Sequence, residues 1–67
     1  MVINIKCTRI NLDLVETYFI HENGNLVFKF NSKEELVIET VGYSQAMAWI
    51  DKIDNLLNVT RIDFIKE

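Results

Sequence analysis

The chain of 67 residues has no proline, two glycines and one cysteine, Cys7. A lone cysteine cannot form an intramolecular disulfide, so the chain is not a disulfide-stabilised scaffold. It has no uninterrupted apolar stretch of the roughly 20 residues that a membrane-spanning helix needs. It also lacks a basic excess, because seven Lys and Arg against ten Asp and Glu leave a formal net charge of −3. Nucleic-acid binders usually carry a basic stripe, so nucleic acid is not the expected partner.

What the chain does contain is apolar material, since hydrophobic residues make up 49% of it. That content predicts one folded domain over residues 1–67. A chain of this size buries only about 60% of its unfolded surface, so we expect some apolar surface to meet another chain. Residues 1–10 alternate polar and apolar, unlike a signal peptide, which leads us to expect a cytoplasmic protein with a reduced Cys7.

Residues 2–21 predict two strands joined by a turn. Residues 2–9 alternate, with Ile3, Ile5 and Cys7 on the side expected to be buried. Asn11-Leu12-Asp13 predicts a turn, because Asn and Asp side chains bond to nearby backbone. Residues 14–21 are rich in β-favouring types and predict the second strand.

Asn23-Gly24 predicts a two-residue type I′ hairpin, because both central residues of that turn need positive φ. This turn would place Phe19 opposite Phe28 and Ile20 opposite Val27. Directly opposed residues share a face, so the core face would carry the apolar aromatic series. The expected core-facing residues are Val15, Phe19, Leu26, Phe28 and Phe30, and the expected outer-facing residues are Glu16, Tyr18, Ile20, Val27 and Lys29.

A further hairpin is expected around Ser32-Lys33-Glu34. A three-residue loop would place Phe30 opposite Leu36, whereas a two-residue loop would bury the carboxylate of Glu35. We therefore predict the three-residue loop and a fourth strand over residues 35–41. Leu36 and Ile38 would join the core face, and Glu35, Val37, Glu39 and Val41 would point outward.

Helical spacing follows over residues 45–57, with Ser44 as the expected N-cap and Asn58 as the expected left-handed C-terminal residue. The apolar stripe of this helix comprises Ala46, Trp49, Ile50, Ile53, Leu56 and Leu57. Residues 60–65 alternate again and predict a short C-terminal strand. The predicted fold class is α+β: a four-stranded antiparallel meander, one helix packed on one face, and that last strand.

Catalytic chemistry finds little support in the sequence. Cys7 and His21 are the single thiol and the single imidazole, and they could in principle form a catalytic Cys–His pair. We favour the alternative, in which Cys7 is a buried apolar residue and His21 lies next to a hairpin turn. One His and one Cys cannot build a zinc site, and the two glycines are too isolated for a phosphate loop. We predict a non-enzymatic protein with no metal site and no cofactor.

Two segments and the helix carry a resemblance. INLDLVE over residues 10–16, NGNLVFKF over residues 23–30 and a following helix with Trp49 resemble uncharacterised small proteins of phages and low-GC Gram-positive bacteria (Firmicutes). The patterning is also similar to short meander-plus-helix domains of the flagellar-operon FlbD type. The resemblance implies an accessory factor of a phage or mobile element, regulatory or anti-defence, that acts by binding. It carries over no functional residue.

The predicted function is therefore a small protein-interaction module that forms a homo-oligomer, a dimer or higher, and binds a host or phage protein. Its candidate interface consists of Tyr18, Ile20, Val27, Lys29, Val37, Glu39, Ile62 and Phe64. The alternative is nucleic-acid or small-ligand binding through the outer sheet face, using Tyr18 and Lys29 with Lys6 and Arg9. An apolar patch interrupted by charges favours the protein partner.

Overall fold

A computed structural model describes residues 1–60 and shows an α+β fold with two small antiparallel sheets and one helix. The strands are β1 (Val2–Ile5), β2 (Thr8–Asn11), β3 (Val15–Ile20), β4 (Leu26–Phe30) and β5 (Glu35–Ile38), and the helix is α1 (Tyr43–Leu57). β1 pairs with β2, and a separate sheet has the order β3-β4-β5. The predicted four-stranded meander is thus not formed within residues 1–60, and the expected strand over 60–65 lies outside the described residues apart from Thr60.

The predicted first strand is in fact a hairpin. Lys6 and Cys7 have φ of 49° and 65°, and Ile5 pairs with Thr8 across them. Two positive φ values in a two-residue loop define a type I′ turn. Cys7 is exposed at the tip of this turn, so its predicted burial is wrong.

The turn predicted at residues 11–13 is present as a short 3-10 helix, Leu12–Leu14. The side chain of Asn11 accepts a hydrogen bond from the backbone N–H of Asp13 at 3.0 Å. This local bond is the one that the sequence pattern predicted. The helix separates β2 from β3 and so ends the pairing of the first hairpin.

The Asn23-Gly24 loop is one residue longer than predicted. The N–H of His21 donates to the carbonyl of Asn25 at 2.8 Å, and the N–H of Gly24 donates to the carbonyl of His21 at 2.8 Å. The loop therefore has three residues, with Gly24 at φ 94°. This positive φ is the reason for glycine there, as in three-residue hairpins that end on a left-handed residue.

The extra residue moves β3 by one position against β4. Tyr18 lies opposite Phe28, and Phe19 lies opposite Val27. Because a one-residue slip exchanges the two faces of a strand, the predicted faces of residues 17–20 are reversed. A register shift between Val15 and Thr17 restores the predicted side at Val15, which lies opposite Phe30 and packs against the core. Tyr18 and Ile20 share the core side with the residues they oppose, and Phe19 lies on the other side. The predicted core face of β4 is confirmed, since Leu26 and Phe28 are fully buried. Val27 lies on the other face, as predicted, but is also buried, with 4% of it exposed.

The loop between β4 and β5 has the predicted three residues but begins one residue earlier, at Asn31. The N–H of Phe30 donates to the carbonyl of Glu34 at 2.9 Å, and Lys33 takes φ 76°. Leu36 consequently lies opposite Phe28 instead of Phe30. This is a shift of two positions, which preserves the faces, so Leu36 and Ile38 still point to the core. β5 ends at Ile38 and not at residue 41.

The helix begins two residues earlier than predicted, with Gly42 at the N-cap position. Ser44 lies in the first turn, and the side chain of Gln45 accepts from the N–H of Val41 at 3.0 Å, satisfying a backbone donor just before the helix. Asn58 is confirmed as the left-handed residue, with φ 54° and ψ 45°. The side chains of Ala46 and Ile53 are buried.

The core collects one or more residues from nearly every element. It consists of Ile10, Leu12, Leu26, Phe28, Ile38 and Ile53, with Trp49 and Ile50 partly buried against it. The β1–β2 hairpin, the 3-10 helix and α1 therefore meet on one face of the three-stranded sheet. The opposite face contributes nothing to this cluster.

Thr40 fixes the connection between β5 and α1. Its hydroxyl donates to the carbonyl of Gly24 at 2.7 Å, and its N–H donates to the side-chain oxygen of Asn25 at 3.2 Å. These two bonds hold the β3–β4 loop against the start of the helix. The orientation of α1 over the sheet is thereby set at its N-terminal end.

Candidate interaction surface

An apolar row crosses the face of the three-stranded sheet that the core does not use. Phe19, Val27 and Val37 oppose one another across β3, β4 and β5. Thr17, Lys29 and Glu35 form the neighbouring row on the same face. We call these six residues the outer sheet face. Val27 in the middle of the row is 4% exposed and Phe19 is half-buried, whereas Val37 is 51% exposed. The row is therefore open to solvent mainly at its β5 end.

Charge on the outer sheet face is balanced locally. The Nζ of Lys29 lies 3.5 Å from a carboxylate oxygen of Glu35, and the two residues are directly opposed in the register. Each side chain is about half exposed, and exposed pairs of this kind contribute at most about 1 kcal/mol. The pair leaves the apolar row beside it without a net charge.

A shallow depression of about 360 Å³ lies along the row, bounded by Phe19, Val27 and Val37 with His21 at one end. The Nδ1 of His21 accepts a hydrogen bond from the N–H of Asn23 at 3.2 Å. That contact orients the imidazole beside the depression. The site thus offers aromatic and branched apolar surface with one imidazole at its margin, which suits docking more than bond-making chemistry.

The structure brings three of the predicted interface residues together on the outer sheet face: Val27, Lys29 and Val37. Tyr18 and Ile20 lie on the core side of β3, because the register places them opposite Phe28 and Leu26. Glu39 follows the end of β5, and its carbonyl accepts from the Nζ of Lys6 at 3.1 Å. Ile62 and Phe64 lie outside the described residues.

Tyr18 acts instead as a connection between sheet and helix. Its hydroxyl donates to Oδ1 of Asp54 at 2.6 Å, and its ring stacks on that of Phe28 with centroids 6.1 Å apart. Burial raises the pKa of the Tyr18 hydroxyl to about 12, with the hydrogen bond to Asp54 and the charge of that carboxylate adding to the effect. A phenol held in this way is not available to a partner on the outer sheet face.

Phe19 is the outer-face residue that the sequence reading missed. An Asn-Gly pair also fits the last two positions of a three-residue loop, where glycine takes the left-handed conformation. Tyr18 decides between the two loop lengths. Its hydroxyl requires a hydrogen-bond partner if it faces the core, and Asp54 of α1 supplies that partner. The contact between Tyr18 and Asp54 places Phe19 outward.

The thiol and the imidazole that a catalytic pair would need lie in different turns of the fold. Cys7 is exposed in the β1–β2 turn, and His21 lies at the start of the β3–β4 loop. Within residues 1–60 there is no group of three or more His, Cys, Asp or Glu arranged to hold a metal ion. The same part of the chain has no helix long and apolar enough to cross a membrane.

The four residues proposed for nucleic-acid or small-ligand binding do not form one surface. Tyr18 is on the core side and Lys29 is on the outer sheet face, in its ion pair with Glu35. Lys6 and Arg9 belong to the separate β1–β2 hairpin. No observation on the outer sheet face favours that alternative over a protein partner.

Comparisons with protein-family models, with curated proteins and with solved structures find no match to this chain.

Proposed function

We propose that this protein is a small, non-enzymatic interaction module that forms a homo-oligomer through its outer sheet face. The supporting observation is the row of Phe19, Val27 and Val37, which crosses all three strands on the face opposite the core. A second copy is the occupant that this surface fits. In a two-fold interface the same patch meets itself, so the row of one copy covers the row of the other.

The charged row supports the same partner. In a face-to-face dimer, each copy presents one cation, Lys29, and one anion, Glu35, next to the apolar row. A two-fold axis lets the lysine of each copy approach the glutamate of its partner. Ion pairs within each copy can then be replaced by ion pairs between the copies, and no charge is left unbalanced at the interface. A partner with a strongly charged surface would gain nothing from this balanced row.

As a biological setting we propose an accessory factor of a phage or mobile element, regulatory or anti-defence. This part of the proposal comes from the resemblance carried by residues 10–16 and 23–30. An interaction module without catalytic machinery would serve such a factor by occupying a surface of a host or phage protein.

The test is sedimentation velocity on the wild type and two matched valine variants, over a range from about 10 µM to about 1 mM that spans weak interfaces. Val37→Asp places a carboxylate in the row, and Val41→Asp places one at a site that is 90% exposed and beyond β5. We expect an oligomer for the wild type and for Val41→Asp, and a monomer for Val37→Asp.

Far-ultraviolet circular dichroism and urea unfolding check that both valine variants are folded. A wild type that is monomeric over the whole range would overturn self-association. Equal oligomer formation by Val37→Asp and the wild type would show that the outer sheet face is not the interface.

A further inference from the structure

A second apolar surface lies on the other side of the molecule, between the first hairpin and the helix. β1 contributes Ile3 and Ile5, and α1 contributes Trp49, Ile53 and Leu56. These side chains line a groove of about 270 Å³, which we call the hairpin–helix groove. Ile53 is buried at its floor, whereas Leu56 is 51% exposed. The groove shares no residue with the outer sheet face.

Among residues 1–60, the charged residues that line this groove are both cations. Lys6 comes from the β1–β2 turn and Lys52 from α1, and no carboxylate is among the lining residues. Neither lysine forms a salt bridge with residues 1–60, where the ion pairs use the N-terminal amine, Lys29 and Lys33. A protein with a formal net charge of −3 thus places two lysines, neither in an ion pair with residues 1–60, at one apolar groove.

One of the two cations is held in place by a backbone contact. The Nζ of Lys6 donates to the carbonyl of Glu39 at 3.1 Å, which uses one of its three donors and leaves its charge unneutralised. This bond also ties the hairpin tip to the segment after β5. The remaining donors of Lys6 have no hydrogen-bond partner within residues 1–60 and can meet an anionic group above the groove.

The volume and openness of the hairpin–helix groove favour a peptide segment over a small molecule. Small-molecule pockets usually measure about 300–1,000 Å³ and enclose most of the ligand. The hairpin–helix groove is smaller and open to solvent, which fits one or two apolar side chains of a peptide that continues past it. Binding energy in protein interfaces concentrates in such buried anchors.

We propose that the hairpin–helix groove binds a short segment of a partner protein in which apolar anchor side chains alternate with carboxylates. The apolar side chains lie between β1 and α1, and the carboxylates pair with Lys6 and Lys52. This site is separate from the outer sheet face. The protein would therefore bind a second copy of itself through one surface and a different protein through the other.

Trp49 makes the test direct, because it is the only tryptophan of the chain and it lines the groove. The probe is a capped synthetic peptide of alternating leucine and glutamate, titrated against the full chain while the fluorescence of Trp49 is recorded. A second peptide carries glutamine in place of every glutamate. We expect a saturable change with the glutamate peptide and binding weaker by about tenfold or more with the glutamine peptide.

Matched variants locate the binding site. Lys52→Glu should weaken the glutamate peptide by about tenfold or more, whereas Lys33→Glu, at an exposed lysine of the β4–β5 loop, should leave its affinity unchanged. Leu56→Asp should abolish binding by placing a carboxylate among the apolar anchors. Circular dichroism confirms the fold of each variant, and exposure of Lys52 and Leu56 makes folding of these variants the expected result.

Several results would overturn the proposal. They are no saturable change with the glutamate peptide, equal affinity for the glutamine peptide, or equal weakening by Lys33→Glu and Lys52→Glu. Phosphatidylglycerol vesicles that shift the Trp49 emission while the peptide does not would assign the groove to a lipid surface. A change of oligomer mass in Leu56→Asp would assign it to a second copy, whereas peptide binding retained by Val37→Asp separates this site from the proposed self-association.

Discussion

The hydroxyl of Tyr18 and the Oδ1 atom of Asp54 are 2.6 Å apart, although 36 positions separate the two residues in the chain. This bond joins β3, an edge strand, to the last third of α1. The other end of α1 is held by Thr40, whose hydroxyl donates to the carbonyl of Gly24. The helix is therefore fixed to the three-stranded sheet at both ends by polar contacts, with the apolar core between them.

The Tyr18–Asp54 bond predicts a loss of stability at high pH. The pKa of Tyr18 is raised from 10.0 to about 12 in the folded protein, so the folded state holds the phenolic proton more tightly than the unfolded state. This contribution is complete below pH 10.0 and is lost as the pH rises towards about 12. Urea unfolding at a series of pH values should show the free energy of unfolding falling across that interval, beyond any fall seen in Tyr18→Phe.

The chain provides a matched control, because Tyr43 is its only other tyrosine and is 63% exposed. Tyr18→Phe should lower the free energy of unfolding at neutral pH by about 1.5–3 kcal/mol, since it removes a hydrogen bond to a charged group. Tyr43→Phe should have little effect. In Tyr43→Phe, ultraviolet absorbance reports Tyr18 alone, and a midpoint near 10 would contradict the raised pKa.

The two loops of the larger sheet predict opposite effects of substitution at equivalent positions. Gly24 and Lys33 both end three-residue loops with positive φ, at 94° and 76°. Gly24→Ala should destabilise the protein by about 1–2 kcal/mol, because a Cβ atom is disfavoured there. Lys33→Gly should stabilise it by up to about 1 kcal/mol, because relief of that cost exceeds the added freedom of the unfolded chain.

Urea unfolding of both loop variants measures these changes. A Cβ atom at Gly24 would lie 3.5 Å from the backbone nitrogen of Tyr43, which is ordinary contact, so the cost at this site is conformational and not steric. Destabilisation by both substitutions would mean that Lys33 gains more from its surroundings than its conformation costs.

The same loops show how much of the fold the sequence could predict. The faces of β4 and β5 follow from alternation around Phe28 and survive an error of two positions in the register. The faces of β3 depend on whether the Asn23-Gly24 loop has two or three residues. Both lengths suit Asn-Gly locally, and the choice is made by tertiary contacts, namely Tyr18 with Asp54 and Thr40 with Gly24. Phe19 therefore could not be assigned to the outer sheet face from local pattern alone.

The first hairpin carries no local signal of its turn. Type I′ turns favour Asn and Gly, and this chain has Lys6 and Cys7 at those positions instead. Alternation over residues 2–9 continues through the turn and so reads as one strand. The helix was predictable because its apolar spacing extends over four turns, and Asn58 ends it in the conformation that this residue type tolerates.

That turn leads to a prediction for Cys7, which is exposed and has φ 65°. Cys7→Gly should stabilise the protein by about 0.5–1 kcal/mol, because glycine adopts positive φ without the Cβ penalty. Cys7→Ala keeps the Cβ atom and serves as the control. We also expect a thiol reagent to label native Cys7 at nearly the rate found for the urea-unfolded chain. Strong protection of the thiol would contradict the hairpin.

The apolar stripe of α1 divides into a buried and an exposed part, and a pair of substitutions can distinguish them. Ile53 is 2% exposed in the core, whereas Leu56 is 51% exposed at the hairpin–helix groove. Ile53→Ala should cost about 2–5 kcal/mol, which can exceed the whole stability of a domain this small. Ile53→Val is the measurable variant, with an expected cost of about 0.5–1.5 kcal/mol.

Leu56→Ala should cost less than about 1 kcal/mol, because half of the side chain is already in water. Urea unfolding of Ile53→Val and Leu56→Ala provides the comparison. A loss of about 2 kcal/mol or more from Leu56→Ala, the range of a buried leucine, would show that the groove is part of the core and not a free surface.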